Sequence, residues 1–113
     1  YFEEGQFSEA LDHYFGVLER QPDSAQALAR IGWMAYLSGE AEAAASYERE
    51  ALAIDPGYAE AKWFLANIRL DGLGDRQGAI ELLEELVALP ELSGDVRAMV
   101  EERLVEARRS ADG

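Results

Sequence analysis

The feature that most constrains this chain is a period. Gly5, Ala10, Val17-Leu18 and Pro22 stand 34 residues before Gly39, Ala44, Ala51-Leu52 and Pro56. A unit of that length can hold two helices and a turn, but it cannot bury its own apolar side, so copies must stack on one another. The fullest copy runs from Ala25 to Pro56. It reads as two amphipathic helices, about Ala25 to Leu37 and Ala41 to Ile54, joined at Ser38-Gly39-Glu40 and closed by Asp55-Pro56.

The first of those helices carries two apolar stripes. At about 100° per residue, Leu28, Ile31, Gly32 and Ala35 share one side, and Ala29, Trp33, Tyr36 and Leu37 a second. A glycine inside a helix costs about 1 kcal/mol against alanine, so Gly32 points to the close approach of a neighbouring helix. Ala44, Ala45, Ala51 and Leu52 of the partner helix are small enough to permit it.

The flanking copies are less regular. Upstream, Tyr1 to Glu4 reads as the stub of a helix ending at Gly5-Gln6. Ser8 is the expected N-cap of the next helix, with Ala10, Leu11, Tyr14, Val17 and Leu18 on its apolar face. Downstream, a helix over about Ala59 to Leu70 has Ala61, Phe64, Leu65 and Ile68 as its core face and Trp63, Asn67 and Leu70 as its second stripe. The turn at Asp71-Gly72-Leu73-Gly74 is one residue longer than its predecessor, since Gly39 to Gly74 spans 35. Asp75 is the expected cap of a helix over Gly78 to Ala88. Ser93-Gly94-Asp95 then opens a last helix, Val96 to about Arg109, with Val96, Met99, Val100, Leu104 and Ala107 on its apolar face. Its remaining faces are charged, as the terminal helix of a stack requires.

These residues resemble the tetratricopeptide repeat (TPR) family. The block Leu28, Ile31, Gly32, Ala35, Tyr36 matches the family's first helix, with leucine where tryptophan is frequent. Gly39, Ala44, Ala51-Leu52 and Asp55-Pro56 match its turn, second helix and end. Glu48 departs from the pattern, standing where the second helix usually has an aromatic. The resemblance covers about residues 1 to 90. It implies an all-α fold, a right-handed α-solenoid in a single domain. The parts would be a partial first repeat at 1–24, a second repeat at 25–58, a third at 59–92 and a capping helix at 93–113.

The resemblance also implies a function: the first helices of such repeats line a concave groove that holds a peptide or helix of a protein partner. Carried over, the groove would present Ala29, Trp33, Tyr36, Leu37, Trp63, Asn67, Leu70 and Asp71, which includes the second stripe of both helices. The competing reading is that Trp33 and Trp63 pack between repeats. On the groove reading, Trp33→Ala and Trp63→Ala abolish partner capture and leave melting nearly unchanged. Chaperone-binding members clamp a C-terminal carboxylate with lysines and asparagines at these positions. Here Ala29, Trp33 and Trp63 occupy three of them and only Asn67 fits, so an aromatic groove for apolar side chains is expected instead.

Composition narrows the alternatives. The 113 residues are enough for one domain, and 49% apolar with 29% charged residues marks a folded chain. A formal charge of −13 disfavours nucleic acid and anionic membrane surfaces as partners. There is no cysteine, His13 is the single histidine, and no spacing suggests a catalytic group, a cofactor or a metal site. The expectation is a binding scaffold and not an enzyme. No apolar run approaches the roughly 20 residues of a membrane span. The opening YFEEG, without methionine, reads as the start of a piece cut from a longer protein, so cytoplasmic and extracytoplasmic locations stay open.

Two further readings belong here. An uncovered end at Ala10, Tyr14 and Val17 would favour stacking of copies into a homo-oligomer. The run from Trp63 to Leu104 is similar to TPR regions of bacterial cytochrome c maturation proteins. That likeness implies a membrane-tethered, extracytoplasmic chaperone with an upstream membrane helix.

Overall fold

The computed structural model describes residues 4–109, with side chains from Ser8 onward. Six helices follow in order: α1 (Glu4–Arg20), α2 (Ala25–Leu37), α3 (Ala41–Ile54), α4 (Ala59–Asn67), α5 (Arg76–Val87) and α6 (Gly94–Arg109). A π-helical turn, Ile68–Gly72, extends α4. No strand occurs among the described residues.

Local chemistry sets these boundaries. Ser24 caps α2 by accepting from the Ala27 amide at 3.2 Å, and Asp75 caps α5 by accepting from the Gly78 amide at 3.0 Å. Helix α2 stops at Gly39, which takes the left-handed conformation at φ 90°. There the Gly39 amide donates to the Tyr36 carbonyl at 2.9 Å and the Glu40 amide to the Ala35 carbonyl at 3.0 Å. That pair of bonds is a Schellman closure, and it sends α3 back along α2.

The longer second turn is closed in a wider version of the same form. The Leu73 amide donates to the Ile68 carbonyl five residues back, at 3.0 Å, and the Asp75 amide to the Arg69 carbonyl at 2.7 Å. Gly74 then takes φ 67°. The extra residue of the 35-residue spacing is thus absorbed as a π turn. The α-helix expected to reach Leu70 ends at Asn67 for this reason.

Two other expectations are corrected. The turn at Gly5-Gln6 does not form: α1 is continuous from Glu4, and Ser8 lies inside it, exposed, and caps nothing. A glycine within a helix costs only about 1 kcal/mol, which the continuing backbone hydrogen bonds can offset. Residues 1–3 of the expected stub lie outside the described residues. In α6, Val100, Leu104 and Ala107 are buried as expected, but Val96 and Met99 are exposed, at 39% and 45%. With 100° between neighbours, Met99 points well away from Val100.

Successive helices pack antiparallel, and the core runs through the stack. Ala44, Ala45, Leu65, Ile68, Leu83, Leu86 and Val100 are all nearly or fully buried. Helices α2 and α4 touch directly, and Arg103 ties α6 to α4, so these three form one layer. A hollow of about 490 Å³ is lined by Leu18 of α1, Leu28 of α2, and Tyr47 and Ile54 of α3.

Candidate functional site

The expected groove residues lie on α2 and on α4 with its π turn, and their surroundings differ. Ala29 has no exposed surface and packs among Leu28, Ala51 and Ala61, so its side chain is closed to a partner. Leu37, at the other end of α2, is half exposed at 50%. Between them Trp33 and Tyr36 are half-buried. The stripe therefore rises from the core to the surface along α2.

Trp33 is held from both sides. Its ring stacks on Phe64 of α4 with centroids 4.8 Å apart and planes 16° from parallel, and it leans on Tyr36 at 5.2 Å. The Tyr36 ring in turn lies against Gly72 of the π turn. A Cβ on Gly72 would sit 2.8 Å from Tyr36 Cε1 and 3.0 Å from the Ala41 Cβ. Helix α2 is joined to α4 and its π turn by this aromatic ladder. Trp33 thus packs between α2 and α4 and is still only partly buried. Phe64, assigned to the core face from the sequence, completes the ladder.

On α4 the stripe is more polar. Trp63 and Leu70 are half-buried and pack at the edge of the core. Asn67 donates from Nδ2 to the Trp63 carbonyl at 2.8 Å and accepts at Oδ1 from Arg103 Nε at 2.9 Å. Arg103 also pairs with the exposed Asp71 and, at 2.9 Å, with Glu106. Burial, and then the Asp71 charge, raises the Tyr36 phenol, while Arg103 lowers it. A hollow of about 280 Å³ beside Leu70, Asp71, Arg76 and Arg103 marks this end of the layer.

Arg103 was not among the expected site residues. It was one of several charges on the polar faces of α6, and its partners lie 32 and 36 positions away, where spacing carries no signal. A second polar connection joins the other end of the same layer. Arg30 donates to both Glu60 oxygens, at 2.8 and 3.2 Å, and Tyr58 donates to Glu60 at 3.1 Å. His13 is exposed, with its ring edge against Tyr14. No group of three or more His, Cys, Asp or Glu side chains placed to hold a metal ion occurs among the described residues. No helix among them is long and apolar enough to cross a membrane.

Comparisons with known proteins agree with this geometry. A family model described as "Tetratricopeptide repeat" matches residues 1–59. No curated protein sequence matches. Among solved structures, the first TPR of Spaghetti (RPAP3) bound to the HSP90 peptide SRMEEVD is similar over 100% of this chain and 88% of its own. The TM-score there is 0.84 at 18% identity. The Yersinia enterocolitica type III secretion translocator chaperone SycD is similar over 96% and 77%, with a TM-score of 0.83 at 13% identity. The Sgt2 TPR domain from Aspergillus fumigatus is similar over 96% and 70%, with a TM-score of 0.80 at 25% identity.

Proposed function

This chain belongs to the tetratricopeptide repeat family, and from that premise we propose that it is a protein-interaction module, not an enzyme, whose α2–α4–α6 layer receives an apolar segment of a partner. The observation that carries the reading is the run from Leu37, half exposed, through the half-buried Tyr36, Trp33, Trp63 and Leu70 on one side of the stack. Side chains of this kind offer contact area to a peptide or helix laid along the layer. The peptide-bound RPAP3 neighbour uses the same fold, which supports binding as the use of this one.

The segment is held by its side chains and not by a terminal carboxylate. Asn67, the one residue that fits the clamp pattern, already has both ends of its amide engaged by Trp63 and Arg103. Peptides selected from a random library against this chain provide the test, with affinities measured on wild type, Leu37→Asp and Tyr36→Ala. Loss of binding with Leu37→Asp at unchanged melting, and equal binding of carboxylate and carboxamide forms, is expected. Selected peptides that ignore Leu37→Asp, or that require the free carboxylate, would overturn the reading.

A further inference from the structure

Glu48 has no exposed surface, and neither of its carboxyl oxygens has a hydrogen-bond partner among the described residues. Its side chain lies across Gly32 of α2, so close that a Cβ there would stand 2.5 Å from Oε2. The titratable groups that face it are Glu60, in the first turn of α4, and Tyr58, just before that helix. The cations nearby in the stack are committed elsewhere. Arg30 of α2 binds Glu60 and, at 3.4 Å, Tyr14 of α1, and Lys62 of α4 binds Glu85 of α5 at 2.8 Å. A carboxylate anion in this place would have no exposed surface, and no protein donor or countercharge on it, and it would face the negative charge of Glu60.

We propose that Glu48 is a proton-dependent latch between the second and third repeats: the α2–α3–α4 corner closes around its uncharged acid and opens locally when the proton leaves. Burial first, and then the Glu60 charge, pushes this carboxyl from 4.5 up to about 9. The folded value lies above the unfolded one. The latch is therefore fully closed below the unfolded value, weakens as pH rises between the two, and is lost as pH passes the folded one. Over that window the folded chain holds one proton more than the unfolded chain, so the unfolding constant rises about tenfold per pH unit. An ionised Glu48 has two remedies. It can swing outward and part α3 from α2, or it can draw Arg30 from Glu60. Either one loosens the joint between α2 and α4. This inference does not depend on what the groove binds.

The test compares urea unfolding of wild type and Glu48→Gln across pH 5 to 9, with Glu48→Met as a second uncharged variant should the amide fold poorly. The ratio of wild-type to variant unfolding constants is expected to rise about tenfold per pH unit. Amide exchange above pH 8, corrected for intrinsic rates, is expected to show α3 and the start of α4 opening ahead of α5 and α6 in wild type but not in the variants. A ratio that stays flat overturns the proposal, as does exchange in which α3 opens only together with α5 and α6.

Discussion

Gly32 and Glu48 face each other across the α2–α3 contact with no room for a further carbon. A Cβ on Gly32 would meet Glu48 Oε2 at 2.5 Å and the Tyr47 Cβ at 2.9 Å. The missing methyl group on α2 is what allows a carboxyl group to lie flat between the two helices.

Gly32→Ala is therefore expected to destabilise the domain. Overpacking of this kind costs about 1–3 kcal/mol, which outweighs the gain of about 1 kcal/mol in helix propensity. Chemical denaturation measures the loss. Adding Glu48→Ala to Gly32→Ala is expected to cost less than the two single losses combined, because the two residues share one space. Strict additivity would show that the contact is not what limits position 32.

Trp33→Ala and Leu37→Ala separate packing from surface. Removing Trp33 breaks the stack on Phe64, so a loss of about 2 kcal/mol is expected. Removing Leu37, half exposed at the end of α2, is expected to change stability by less than about 0.5 kcal/mol. Melting of the two variants beside wild type decides this. The unchanged melting that the groove reading assigns to Trp33→Ala does not fit a ring shared by two repeats.

Tyr58 supplies an alkaline signature. Burial, and then Glu60, pushes its phenol up to about 12. The folded value is raised above the usual 10, so Tyr58 favours the folded state below pH 10 and stops doing so as pH rises through about 12. Glu60→Gln removes a charge that opposes phenolate formation, and the Tyr58 midpoint is expected to fall. Phenolate absorbance of wild type and variant across alkaline pH reads the shift directly.

Gly72→Ala is expected to disturb the aromatic ladder from its far end. The new methyl group would sit 2.8 Å from Tyr36 Cε1, so either the ring turns or the π turn shifts. A loss of about 1–3 kcal/mol and a changed tryptophan fluorescence spectrum are expected. Unaltered fluorescence with unaltered stability would mean that Tyr36 does not support Trp33.

Much of this architecture was legible in the chain because the signals are local or periodic. Asp75 is a cap, Ser38-Gly39-Glu40 is a turn, and the bounds of α2 and α3 follow from the 34-residue phase. The π turn was visible only as one surplus residue between Gly39 and Gly74, since whether a turn widens or a loop bulges depends on the packing on either side. The groove residues were legible as a stripe, but their burial was not. Ala29 and Leu37 share that stripe, yet the neighbouring repeat covers one and leaves the other out. Arg103, Arg30 and Glu60 escaped notice because a long charged side chain finds its partner in three dimensions, across 30 or more positions. Glu48 was visible as an exception to the aromatic pattern. That it is enclosed without a partner became evident only once α2 and α4 were in place.

The widened turn at Ile68–Gly72 separates two quantities that are usually locked together in a stacked array, the length of the chain and the phase of its helices. A surplus residue has been taken up inside one turn, and α5 still packs on α4. One more residue at this point is thus accommodated without parting α5 from α4. An array built from such units could drift in sequence at its corners while its inner wall stays aligned.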